Sequence, residues 1–316
     1  MKIQNLSRRK FLKQAVLVGG LSPLIPKGLI NLTPKQPSLE IHIFSKHLQF
    51  LEYTDMAGAA AALGFDGVDL TVRPGGHVLP EKVTEDLPKA VEAIQQARLK
   101  ASMMTTAVTD ANSHTDRSVL ETASGLGYEF YRMGYLHYDD HKPMMDSMEE
   151  FQQAIKGLSE MNRRLGLIGC YQNHAGRYAG ASMWEKKQML ATAEIANMGS
   201  QYDIRHALVE GGLSWENGLR LISPHIKTLA LKDYKWEFSQ DRWRVVNTPI
   251  GEGMVDFSRY FTLLKQYNIH VPACLHYEYP LGGVEHGRTQ ITESEATIYK
   301  AMKKDLETLR ALWENA

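Results

Sequence analysis

Ile226-Lys227-Thr228-Leu229-Ala230-Leu231-Lys232-Asp233-Tyr234 is a short, mostly apolar run that ends abruptly in a charged pair. A run this short suits a strand buried on both faces. Three other stretches share the plan. Leu167 to Tyr171 leads into Gln172-Asn173-His174, a run from Gln201 ends in Tyr202-Asp203-Ile204-Arg205-His206, and Val271 to Leu275 leads into His276-Tyr277-Glu278-Tyr279. The intervals between them leave room for a helix. Strands that alternate with helices build a parallel sheet. In a barrel of such strands, polar groups at successive strand ends converge on one rim.

The same alternation extends toward the amino terminus. Strands are expected at Leu39–Phe44, Gly67–Leu70, Leu99–Thr105 and Tyr128–Met133. Helical spacing is expected over Glu52–Leu63, Asp86–Ala97, Arg117–Ser124 and Met145–Leu165, then Met183–Ala196, Trp215–Ile222, Phe257–Tyr267 and Thr292–Leu312. Eight strand–helix units in residues 39–316, with no composition break, predict a single-domain (β/α)8 TIM barrel of the α/β class. No Gly-x-Gly-x-x-Gly turn follows the first strand, which argues against a dinucleotide fold. Two connections are long, Arg73–Leu87 and Asp233–Phe257, and long loops at this end of a barrel form lids or substrate walls.

Residues 1–30 read as an export signal and 31–38 as a proline-bearing linker. Ser7-Arg8-Arg9-Lys10-Phe11-Leu12-Lys13 resembles a twin-arginine signal, and the apolar stretch behind it is broken by Gly19, Gly20 and Pro23. The expected location is periplasmic, with no stable membrane span. The 316-residue chain balances 36 basic against 36 acidic residues and shows no basic block, which disfavours a nucleic-acid partner. Cys170 and Cys274 lie inside apolar runs and read as buried thiols.

Gly64-Phe65-Asp66-Gly67-Val68-Asp69-Leu70, Gln172-Asn173-His174, Asp203-Ile204-Arg205-His206, Leu231-Lys232-Asp233 and Gly251-Glu252-Gly253-Met254-Val255-Asp256-Phe257 resemble, in order and spacing, the xylose isomerase-like barrels of the sugar phosphate isomerase/epimerase superfamily. The resemblance implies one divalent metal (Zn²⁺, Mn²⁺, Co²⁺ or Mg²⁺) held by Glu, Asp, His and Glu on the last four strands. Those positions fall here on Gln172, Asp203, Ala230 and His276, with Glu278 two residues further on. Gln172, Asp203 and His276 are thus the expected metal ligands, a set with one anion in place of three. The superfamily's proton-transfer pair of glutamates is also displaced.

The remaining candidates for acid–base work are Glu278, Lys232, His174 and His206. Arg73, His77, His137, Asn173, Glu210 and Trp236 are candidate substrate contacts: Arg73 and His77 for hydroxyls or a carboxylate, Trp236 (with Trp243 and Tyr234) for stacking on a sugar ring. No phosphate cradle and no arginine cluster near the rim is evident, so an unphosphorylated small-molecule carbohydrate is expected. The leading expectation is proton abstraction next to a carbonyl, as in isomerisation or epimerisation, or elimination or hydrolysis of a keto-glycoside. A metal-free sugar-binding protein with a degenerate site stays open, as does association into a homo-oligomer. The DNA-repair endonucleases that share this barrel need a denser set of His and carboxylate ligands.

Overall fold

Eight parallel strands close on one another in the computed structural model, which describes residues 38–316. They are β1 (Ile41–Phe44), β2 (Gly67–Val72), β3 (Lys100–Thr106), β4 (Phe130–Arg132), β5 (Ile168–Gln172), β6 (Met198–Asp203), β7 (Ile226–Leu231) and, after an inserted hairpin, β10 (Ala273–Leu275). Each neighbour in the ring is next in sequence apart from that hairpin, and β1 pairs with both β2 and β10. The expected (β/α)8 barrel is therefore the observed one. The segment expected to be an export signal, and most of the expected linker, lie outside the described residues.

The helices α1 (Tyr53–Leu63), α2 (Val83–Gln96), α3 (His114–Gly125), α4 (Met144–Leu165), α5 (Met183–Met189), α6 (Ile204–Gly211), α7 (Trp215–Ile222), α8 (Phe257–Gln266) and α9 (Glu295–Asn315) surround the ring. Side chains that accept the orphan amides of the first turn start several of them: Ser113 for α3, Ser182 for α5, Asp256 for α8 and Ser294 for α9. The apolar layer between strands and helices is continuous, and includes Ile43, Val68, Leu70, Leu229, Leu231 and Leu275. Phe44, Met103 and Cys274 form a separate cluster, the opposite parity of the same strands. Inside the ring, then, the apolar content is small and the polar content large. Cys170 and Cys274 are buried and free.

Two departures from the sequence reading matter for the site. The connection after β7 is no irregular loop: β8 (Asp233–Ser239) and β9 (Arg242–Thr248) form an antiparallel hairpin. Its two-residue turn, Gln240-Asp241, holds both residues at positive φ (51° and 57°), the geometry of a tight hairpin turn. Asp233 anchors the return of the chain, accepting N–H bonds from Tyr234, Gly251, Gly253 and Val255. A Cβ at Gly253 would collide with that carboxylate, so the turn needs glycine there. The second departure is α6, which begins directly at the end of β6.

Candidate active site

The carboxyl ends of the strands and the segments that follow them enclose a pocket of about 150 Å³. It is lined by Phe44 at the end of β1 and Lys46 just after it, Arg73 after β2, Arg132 and Tyr135 at and after the end of β4, Gln172 and His174 at and after the end of β5, Lys232 after β7, and His276 and Glu278 after β10. At its floor lies one cation between two carboxylates. Lys232 Nζ is 3.2 Å from Asp203 Oδ2 and 3.0 Å from Glu278 Oε1. Lys232 is 3% exposed, Asp203 is fully buried and the Glu278 side chain keeps 23% exposure toward the pocket.

Asp203 does two jobs at once. Its Oδ1 accepts the His206 N–H and starts α6, while Oδ2 faces Lys232 and accepts a bond from Gln172 Nε2 at 2.8 Å. Burial acts against its charge, but Lys232, His206 and His276 outweigh that and hold the Asp203 carboxyl down at about 2. Burial likewise opposes the charge of Lys232, and Asp203 and Glu278 together keep its pKa above the ordinary lysine value. Glu278 stays well below the usual carboxylate range because Lys232 and His276 offset its desolvation. Burial, reinforced by the field of Lys232, lowers His174, His206 and His276, so their rings are neutral near pH 7.

The structure brings Glu278, Lys232 and His174 into the pocket wall together, with the expected metal ligands Gln172 and His276 beside them. His206 stands one layer back, its ring 4.0 Å from that of His174. His206 Nδ1 accepts from Ala175 N–H and Arg205, which leaves the proton on Nε2, a buried atom with no hydrogen-bond partner among the described residues, 3.7 Å from Asp203 Oδ2.

The set does not fit a divalent ion. Gln172 Oε1 already accepts from Arg132 (2.9 Å) and Tyr135 (2.6 Å), its amide nitrogen can only donate, and both carboxylates are taken by Lys232. Among the described residues no group of three His, Cys, Asp or Glu side chains could hold a metal.

The other sequence candidates have mixed fates. Arg73 lines the pocket. His77 does not: its ring reaches Thr71 Oγ1 and the Leu48 carbonyl and fixes the loop after β2. Asn173 is fully buried, donating to the Asp203 carbonyl and accepting from the Asp203 N–H and from Lys186, so it holds strand ends in place. His137 and Glu210 line a separate, larger cavity of about 800 Å³ with Tyr178. The rings of Tyr135, His174 and Tyr178 lie 4.3–5.2 Å apart and stand between the two spaces. Trp236 lies on the hairpin and lines neither.

Sequence reasoning missed Lys46, Arg132 and Tyr135. Lys46 and Arg132 are charged residues just after or at the end of an apolar strand, the same signal that marks Lys232. The expectation that no arginine cluster stands near the rim is also corrected, because Arg73 and Arg132 share the pocket with two lysines. Strand ends remote in sequence meet only when the ring closes, so their joint charge is invisible in any one segment.

A closed parallel barrel with its polar pocket at the carboxyl ends of the strands belongs to the class of (β/α)8 barrels whose chemistry sits on that rim. Residues 57–302 match the xylose isomerase-like TIM barrel family, and the chain belongs to it. A D-psicose 3-epimerase from Clostridium cellulolyticum H10, solved with D-tagatose, superposes with a TM-score of 0.66 at 10% identity, over 87% of this chain and 99% of that one. The 3-keto-D-glucoside 4-epimerase of E. coli gives 0.65 at 12% identity, over 86% and 99%. A barrel of this family from Mycobacterium smegmatis, solved in complex with magnesium, gives 0.57 at 12% identity, over 87% and 98%. At such identities the likeness is one of fold. None of the curated proteins matches the chain in sequence.

Proposed function

We propose that the protein is an isomerase- or epimerase-like enzyme that moves a proton at the carbon next to the carbonyl of a keto-sugar. The observation that carries this reading is the Lys232–Glu278 contact, a cation and a half-buried carboxylate side by side in the rim pocket. Lys232 donates a hydrogen bond to the substrate's carbonyl oxygen, and Glu278 takes the proton from the neighbouring carbon. The C–H electron pair moves into the enediolate, whose oxygen keeps the ammonium as its partner. As Lys232 turns toward that oxygen, the field that holds Glu278 ionised weakens and its basicity rises. Return of the proton to the other carbon, with the hydroxyl proton passing between the two enediolate oxygens, gives the isomer; return of a proton from solvent to the opposite face gives the epimer. Expulsion of a β-substituent gives the elimination product instead.

In this reading the Lys232 ammonium takes the place that a divalent cation takes in metal-dependent barrels, and no step passes through a metal. That several similar folds are sugar epimerases, one of them acting on a 3-keto-glucoside, supports the choice of substrate class. The resemblance of residues 7–13 to an export signal supports a periplasmic site of action, where an unphosphorylated sugar is the expected form.

The test is solvent exchange. Keto-sugars, including 3-keto-glucosides, are incubated with the protein in deuterated water and followed by NMR. Deuterium entering next to the carbonyl, and lost in Glu278→Gln, is the expected result. A sugar that binds and stabilises the protein yet never exchanges in any case would replace the enzyme by a sugar-binding protein.

A further inference from the structure

Three further cations share the pocket, and none of them has an ion-pair partner among the described residues. Lys46 Nζ and the Arg73 guanidinium flank the Phe44 ring, 5.7 and 5.5 Å from its centroid, and neither has a hydrogen-bond acceptor among the described residues. Phe44 in turn stacks on His276, with centroids 4.5 Å apart and planes 22° off parallel. Arg132 is 7% exposed and uses one terminal nitrogen on Gln172 and Tyr135, while its Nε is buried with no partner among the described residues. Both carboxylates at the floor are committed to Lys232.

Buried or half-buried cations are normally paired, because desolvation without an opposite charge is costly. Three unpaired ones around a space of about 150 Å³ form a seat that lacks its anion. The strain is visible in their acidity. Burial, and repulsion from Lys232, Arg73 and Arg132, bring Lys46 down to about 8 against the pull of Glu278. Burial and Arg132 bring Arg73 down to about 10 against the pull of Tyr135 and Asp69.

We propose that the pocket takes a sugar bearing an oxyanion, with Lys46, Arg73 and Arg132 as the seat for that anion and Lys232 and Glu278 facing the carbonyl end. The inference rests on the sugar-enzyme reading above and narrows its substrate class. A carboxylate, as in a uronic or keto-aldonic acid, matches the forked guanidinium of Arg73 or Arg132 and the small volume. A phosphate ester has the same chemistry from another source.

Binding decides the matter without turnover. Calorimetry of the full chain with D-glucuronate, D-glucose 6-phosphate and D-glucose, at low and high salt, is compared with the same titrations of Lys46→Met and Arg73→Gln. Circular dichroism confirms that both variants are folded. An anionic sugar binding at least about tenfold more tightly than glucose, with the advantage reduced by salt and in either variant, is the expected result. The tighter of the two anions identifies the source as carboxylate or phosphate. Anionic sugars that bind no better than glucose, or variants that leave the preference unchanged, overturn the oxyanion seat. That failure would leave the exchange experiment, which reads proton abstraction on neutral keto-sugars, standing on its own.

Discussion

Lys232 Nζ lies 3.2 Å from Asp203 Oδ2, with Asp203 fully buried and Lys232 only 3% exposed, at the pocket floor. A buried pair of this kind adds little over a well-packed apolar pair, but breaking it from one side strands a charge. Lys232→Met is therefore expected to lower unfolding stability by about 3–5 kcal/mol. Lys232→Met combined with Asp203→Asn should recover much of that loss, since the stranded carboxylate is gone. Urea unfolding of the two single variants and the double one reads the coupling directly. A double variant as unstable as the sum of its parts contradicts the pairing.

A cation that is a side chain does not depend on supply. Exhaustive treatment with a chelator is expected to leave the solvent-exchange rate unchanged, whereas Lys232→Met lowers it by about a hundredfold or more. Rates measured before and after chelation, alongside elemental analysis of the protein, check this. Activity that disappears with chelation and returns with added Mn²⁺ or Zn²⁺ would show that Lys232 moves aside for a metal.

Lys186, on α5, is fully buried and points into the seam between β5 and β6. Its Nζ donates to the carbonyls of Tyr171 and Gln201, to Asn173 Oδ1 and to Ser200 Oγ. Lys186→Met keeps the stem and removes the donors, leaving buried acceptors without partners. A loss of about 2–4 kcal/mol is expected. Denaturant unfolding measures it. Because Asn173 also bonds to the Asp203 backbone, the variant should lose exchange activity as well.

Asp305, on α9, is 1% exposed and accepts from the Tyr279 hydroxyl at 3.0 Å. Burial raises its carboxyl to about 7 from 3.8. Between those values the folded chain holds a proton that the unfolded chain has released. Its contribution to stability is thus complete below about pH 4 and fades as the pH rises toward 7. Asp305→Asn cannot ionise, so its stability relative to the native chain should improve by about 2 kcal/mol between about pH 5 and pH 8. Melting curves at the two pH values test the sign. A difference that does not change with pH refutes the raised carboxyl.

The barrel was legible because eight apolar runs alternate with helical spacing, and strand ends marked by Gln172, Asp203, Lys232 and His276 do meet at one rim. What sequence reasoning could not supply was direction and partnership. His77 and Asn173 sit near the rim in sequence but turn into the scaffold, because backbone groups nearby need their donors and acceptors. Lys46 and Arg132 escaped notice because a single charged residue beside a strand is common, and only closure of the ring gathers them. The hairpin did carry a readable signal. Trp236 and Phe238 alternate with Lys235 and Glu237, and Gln240-Asp241 supplies the turn, yet the segment's high charge suggests a loop.

The inserted hairpin is tied at both ends to the floor of the pocket. Asp233 gathers four amides at its base, and Asn247 on β9 accepts from Arg205 while donating to the Glu278 carbonyl. The blade and the backbone that carries Glu278 are consequently one mechanical piece. Phe238 and Trp243 stand exposed at its tip. Through the Asn247–Glu278 hydrogen bond, the blade that carries those aromatic rings is tied to a residue more than thirty positions away along the chain.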